Sequence, residues 1–241
     1  MRVDDPRFKI AAARRMLYRE GCDSGVAGHV SARAPGADAF WITPFEYFDE
    51  TTPDRVIKLS FDLDVLEGDW EASPAVQFHA AIYRERPDVG SIIHTHSHYA
   101  AVVTTTGRPV GMYNEVSTLF HNEQAWYADD GVQPQVEGKR MAAALGDKRV
   151  LHMRNHGILI AAPDLEEATV DAMTLEKAAK IHLDAVAAGG QEIPLPQVMQ
   201  AKSLYEQYFR RNTWAAQLRR LRVSDPDLFA WLDEDDAERT A

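Results

Sequence analysis

"SIIHTHSHYA", residues 91–100, places three histidines within five positions at the end of an apolar run. On a β-strand, residues two apart point to the same face at a spacing of about 6.6 Å. His94 and His96 can therefore converge on one ion, while His98 leaves on the element that follows. Imidazole nitrogens bind a metal at about 2.0–2.1 Å, and a catalytic site with an open position needs a third protein ligand. His156, in the polar break "MRNHG" between two β-rich runs, is the natural candidate, because Gly157 lets the backbone come close. On spacing alone, His79, His121, His152 and His182 stay equally available.

Outward from this stretch, the hydrophobic period alternates between helix and strand. Pro6 and "RFKIAAARRMLYREG" read as a helix stopped at Gly21, and strands follow near 29–33, 40–43, 57–60 and 65–66. Ser73 and Pro74 suit the cap and first position of a helix through "AVQFHAAIYRE". "GSIIHTH" is the next strand, "SHYAAVVTTTG" a helix, and a short strand is expected near 110–113. Two strands flank "RNHG", and "LEEATVDAMTLEKAAKIHLDAV" is a long amphipathic helix ending at Gly189 and Gly190. A final helical region covers about 197–221, where Tyr205, Tyr208, Phe209 and Trp214 are expected to pack. The pattern is a mixed α/β layered fold.

A chain of 241 residues supports one good-sized core, here assigned to 1–222, with an acidic tail at 223–241 that contains "DEDDAE" at 233–238. A net charge of −11, with basic residues scattered among acidic ones, argues against a nucleic-acid partner. Cys22 is the single cysteine and cannot form an internal disulfide, the N-terminus lacks an apolar signal region, and no apolar run approaches the length of a membrane span. A cytoplasmic protein acting on a small molecule is expected.

"GVAGHVSAR", "WITP", "FHAAIYRERPDVGSIIHTHSHYA", "LHMRNHGILI" and "LEEATVDAMTLEKAAKIH" stand in the order and spacing of the class II aldolase/adducin family, which the chain resembles over about residues 8–190. The resemblance implies a single-domain, three-layer α/β sandwich with a central, mainly antiparallel sheet flanked by helices. It implies a divalent metal, zinc, iron or manganese, on His94, His96 and His156, and a cyclic homotetramer with its active site at a subunit interface. Family members include sugar-phosphate aldolases, aromatic-acid decarboxylases, a group resembling non-haem iron oxygenases, and non-catalytic adducin heads.

Several positions depart from the aldolase pattern. The glutamate that moves the proton in family aldolases, four residues before His79, is Ala75 here. Glu71 could replace it only if its loop folded inward. The phosphate-gripping loops are replaced by Gly28-His29, Thr43-Pro44-Phe45-Glu46 and Ser73-Pro74-Ala75, where a bulky ring and a carboxylate oppose a dianion. These residues, Gly28, Thr43, Phe45, Glu46 and Ser73, are the expected substrate pocket. His29 takes the place of a family asparagine and is a candidate for the lost proton transfer or for binding a substrate carboxylate. Tyr113 and Glu115, in "GMYNEVSTLFHNEQAWYADDG", are further catalytic candidates. Phe45, Tyr47 and Phe48 would make the entrance apolar, and Arg154 could pair with a carboxylate.

These readings point to a metal-dependent lyase, cleaving by aldol chemistry or decarboxylation, on a non-phosphorylated keto or hydroxy acid, an aromatic one being favoured by the apolar entrance. The alternatives are a three-histidine iron oxygenase that cleaves C–C bonds oxidatively and an adducin-like scaffold without catalysis.

Overall fold

The computed structural model describes residues 1–128, 130 and 134–234. Helix α1, Pro6–Arg19, opens with Asp5 accepting a hydrogen bond from the Arg7 amide and ends at Gly21, whose φ of 76° is the left-handed turn expected there. The strands are β1 (His29–Arg33), β2 (Ala39–Ile42), β3 (Ile57–Ser60), β4 (Val65–Glu67), β5 (Ser91–Thr95), β6 (Gln124–Tyr127), β7 (Val150–Met153) and β8 (Ile158–Ala162). They form one eight-stranded sheet in the order β4-β3-β2-β1-β5-β8-β7-β6. Every pairing is antiparallel except β6 with β7.

Both faces of the sheet are covered, which is why its central strands read as unbroken apolar runs rather than as an alternation. On one face Val30, Ile93, Val150, Ile158 and Ile160 pack with α1, α3 (His98–Thr105), α5 (Leu165–Ala187) and α7 (Arg210–Ser224). On the other, Ile42, Ile57, Ile92, Leu151 and Leu159 pack with α2 (Gln77–Glu85) and α4 (Pro134–Leu145). The period of two thus sends Ile92 and His94 to the α2 face and Ile93 to the α5 face. The expected three-layer sandwich is the observed one.

Local departures have identifiable causes. The helix expected from Ser73 begins at Gln77, because the Ser73 hydroxyl accepts from the Ala75 amide and its carbonyl accepts from the Val76 amide, closing a turn first. The strand expected near 110–113 is absent from the sheet: the Gln124 side chain takes both the amide and the carbonyl of Val110. A 3-10 helix, Glu115–Phe120, the parallel edge strand β6 and α4 occupy stretches to which the sequence pattern assigns no element. The last helical region is divided into α6 (Leu195–Leu204), a π-helical turn at Tyr205–Phe209 and α7, followed by the short α8 (Pro226–Phe229). Of its aromatics, Tyr205 and Trp214 lean on the core, whereas Tyr208 and Phe209 are exposed.

The segment after residue 222 begins as part of the packed body. Leu228 and Phe229 are buried, Phe229 lies edge-on to Phe8 at 5.5 Å, and Asp225 accepts from Arg15 and Arg19 of α1. Residues 235–241, most of the acidic run, lie outside the described residues. Among the described residues no helix is long and apolar enough to cross a membrane.

Candidate metal centre

His94 ends the apolar stretch of β5 on the α2 face and is buried. Its Nδ1 donates to the Ile158 carbonyl of the paired strand at 2.9 Å. This bond fixes the tautomer and leaves Nε2 as a lone pair. His96, just beyond the strand, is held by its own amide, which donates to Ser24 Oγ at 2.6 Å. Its Nε2 lies 2.9 Å from that of His94. His156 follows Asn155, whose φ of 55° turns the chain back between β7 and β8. Its ring stands 4.7 Å from that of His96 and 5.2 Å from that of His94, centre to centre. One ring nitrogen from each of the three lies within 4.8 Å of the others.

Two glycines permit this approach. A Cβ on Gly157 would sit 2.4 Å from the Thr95 carbonyl oxygen and 2.7 Å from His96 Cδ2. Gly28, at a φ of 94°, would push a Cβ to 2.9 Å from the His94 carbonyl oxygen. The backbone between the ligands is therefore crossed closely from both sides.

The cluster fits a divalent cation. A tetrahedral ion bonded at 2.0–2.1 Å sets its nitrogens about 3.3 Å apart, so the His94–His96 pair needs to open by only a few tenths of an ångström. Burial holds His94 well below its ordinary pKa, and burial with His156 nearby pulls His96 down to about 4. Neutral imidazoles are the state a cation requires. His98, as expected, departs on α3, exposed and against Tyr99. The alternative third ligands are engaged elsewhere: His152 with Gln124, His182 with the Gly111 amide, His79 with His29, and His121 on a separate pocket.

Beside the cluster, His29 of β1 stands opposite His94 in register, their rings 5.4 Å apart. Both of its nitrogens face protein partners: Nε2 lies 2.8 Å from Ser73 Oγ and Nδ1 lies 3.2 Å from His79 Nε2. The chain of contacts continues from His79 Nδ1 to Ser31 Oγ and on to Tyr83 Oη, each step 2.7 Å. Burial holds His29 and His79 well below their ordinary pKa, with His79 and the buried Arg14 adding to the effect at His29 and His94 adding to it at His79.

The other anticipated residues are distributed unevenly. Thr43 is buried and accepts from the Val30 amide, and Ser73 is buried against His29. Phe45 and Tyr47 are exposed, as an entrance requires, but Phe48 is a core residue beneath the Arg14 guanidinium. Glu46 is buried with Oε2 held by Arg55 at 2.7 Å, so much of its charge is neutralised locally. Glu71 and Arg154 are exposed, and Glu71 has not folded inward to replace the acid missing at Ala75. Tyr113 packs on His182 in a pocket that His29 does not line, and Glu115 is exposed.

Sequence reasoning missed Ser24, Ser31 and Tyr83. Ser31 was legible in principle, since His29 and Ser31 are two apart on one strand and must share a face. Ser24 carries no such signal.

Residues 8–183 match the family described as Class II Aldolase and Adducin N-terminal domain. The chain belongs to the class II aldolase and adducin family. Within this family it is 27% identical over 234 residues to the 3,4-dihydroxyphthalate decarboxylase of Arthrobacter keyseri, covering 89% of this chain and 93% of the relative. It is 29% identical over 197 residues to the 4-hydroxy-3-prenylphenylpyruvate oxygenase/4-hydroxy-3-prenylbenzoate synthase of Streptomyces roseochromogenus subsp. oscitans, covering 79% and 71%. The L-fuculose 1-phosphate aldolase from Glaciozyma antarctica PI12 superposes with a TM-score of 0.80 at 27% identity, covering 91% of this chain and 90% of that one. The family relatives thus include decarboxylases and aldolases.

Proposed function

We propose that the protein is a divalent-metal-dependent lyase that decarboxylates or cleaves a non-phosphorylated, aromatic keto or hydroxy acid. The observation that carries the reading is the convergence of His94, His96 and His156 beside a proton-handling position that holds Ala75 in place of a carboxylate. A cation held by three neutral imidazoles keeps its full charge and supplies a Lewis acid for a carbonyl or carboxylate oxygen. The chain's own residues do the rest. Ser73, whose hydroxyl takes the Ala75 amide, and His29, in contact with that hydroxyl, handle the proton. Gly28 and Thr43 shape the backbone around them, and the exposed rings of Phe45 and Tyr47 offer an apolar approach that suits an aromatic acid better than a sugar phosphate. The resemblance to a decarboxylase of a dihydroxylated aromatic acid supports this substrate class.

A second reading, a non-haem iron oxygenase that cleaves a C–C bond oxidatively, is favoured by the all-histidine ligand set and by the resemblance to a prenylphenylpyruvate oxygenase. It needs no acid at position 75. The deciding experiment is metal analysis of protein purified without added metal, followed by assay against aromatic 2-oxo and dihydroxylated acids. Zinc or manganese, with carbon dioxide or aldehyde released without oxygen consumption, supports the lyase; iron with substrate-dependent oxygen uptake replaces it with the oxygenase. Protein that binds no metal after this purification would return the chain to an adducin-like scaffold.

A homotetramer belongs to the same proposal. Tyr113 and Glu115 would serve a site only if a neighbouring subunit carried them there, and light scattering of the full chain measures the assembly. A cytoplasmic location is proposed with it, on the single cysteine, Cys22.

A further inference from the structure

The buried contacts behind His29 form one continuous line, Ser73–His29–His79–Ser31–Tyr83, and each member has one proton to place. The line can run in two directions. Its inner end selects between them. Ser31 Oγ lies 2.7 Å from Tyr83 Oη, 2.7 Å from His79 Nδ1 and 3.4 Å from the Ile92 carbonyl oxygen. Among the described residues the Tyr83 hydroxyl has Ser31 Oγ as its acceptor, so Tyr83 donates there, and the Ser31 proton goes to the short contact, His79 Nδ1, rather than to the long one. His79 then carries its proton on Nε2 and donates to His29 Nδ1. His29 in turn carries its proton on Nε2 and donates to Ser73 Oγ. That oxygen also accepts from the Ala75 amide at 3.3 Å, so both of its lone pairs are used. The Ser73 proton is left for a partner outside the line.

We propose that His79 is a positioning residue that locks the Nε2–H tautomer of His29 and thereby presents Ser73 as a hydrogen-bond donor to the substrate. This rests on the reading in which His29 and Ser73 handle the proton, and it adds what decides the direction. Every residue from His29 inward is buried, so water does not compete for these contacts and a reversed tautomer has no solvent to repair it. The arrangement is one of orientation rather than charge. The pair His29 and Ala75 is coherent in this light. The family carboxylate is missing at 75, and the hydroxyl two residues earlier is the group that the line serves.

The test is nitrogen-15 NMR of the full chain with labelled histidines, metal-free and with zinc added. Pyrrole-like and pyridine-like ring nitrogens are distinguished directly. The expected result is Nε2–H on both His29 and His79. His79→Gln places an amide donor where Nε2–H stood and keeps His29 in the Nε2–H form. His79→Leu removes the donor, and Ser31→Ala, the loss of one oxygen atom, removes its orientation; both shift His29 toward Nδ1–H. His29 found as Nδ1–H in the unaltered protein, or unchanged in Ser31→Ala, overturns the proposal. In turnover, His79→Leu is expected to lower kcat by about 100-fold with KM within about twofold, and His79→Gln to recover most of it. If His29→Ala leaves turnover intact, the proton-handling reading fails, whereas the tautomer result reports on His79 by itself.

Discussion

At the scale of single residues, the candidate centre depends on atoms that are missing as much as on those present. Gly157 is the clearest case. Its Cα passes so close to the Thr95 carbonyl that a methyl group would lie 2.4 Å from the oxygen. Gly157→Ala is therefore expected to cost about 1–3 kcal/mol in a urea titration, because the β5–His96 backbone has to move. It should weaken zinc binding by the same displacement. His96→Ala removes a ligand outright. Groups that only orient a ligand are worth 10–100-fold in metal affinity, so this change is expected to lower zinc affinity by more than about 100-fold by competitive chelation. Zinc affinity unchanged in His96→Ala would remove the three-histidine centre from the account. Position 75 is equally informative: no sequence rule predicts where a lost carboxylate's task goes, and the proposal places it on the Ser73–His29 contact, whose hydroxyl also takes the Ala75 amide.

At the scale of elements, two devices hold the ligand loop. The first is Glu176 of α5, which accepts from the amides of Tyr99 and Ala100 and so satisfies the N-terminus of α3, directly after His96. Glu176→Ala leaves two amides without partners and is expected to destabilise the fold by about 1–3 kcal/mol, measured by urea unfolding. The second is the sheet edge. His152 Nε2 of β7 donates to Gln124 Oε1 while its Nδ1 is buried without a partner, and burial draws its pKa down to about 4. Between the ordinary value of about 6.5 and about 4, the unfolded chain takes up a proton at this position and the folded chain does not. Stability is therefore expected to fall as pH drops through that window, by about 1.4 kcal/mol per pH unit for this group. His152→Met should reduce the slope of unfolding free energy against pH by about that amount, and an unchanged slope would show that the ring is protonated in the fold.

At the scale of the whole molecule, the C-terminal segment closes the layer that carries α1. Leu228 and Phe229 enter the same core as Phe8, and Asp225 sits between Arg15 and Arg19. Truncation after Ser224 is expected to cost about 2–5 kcal/mol, comparable to deleting buried large side chains, read as a fall in the urea midpoint. Composition marked this region as acidic and solvated, but the apolar pair inside it binds it to the body.

The sequence by itself determined the layered α/β class, the order of most strands and helices, and the pairing of His94 with His96, because periodicity of two and 3.6 is a local property of the chain. It also made the departures at Ala75 and His29 visible, since those are identities at positions fixed by neighbouring motifs. Spacing by itself left His156 level with His79, His121, His152 and His182, and only the family resemblance named it; the tertiary structure brings it to His94 and His96 because β8 pairs with β5. The same holds for Ser73, His79, Ser31 and Tyr83, which are separated by up to 52 residues and meet only because β1 and β5 set them under α2. Local pattern selects the faces of elements; the register of non-local strands selects which side chains share a face, and hydrogen bonding in a dry interior then fixes their protons.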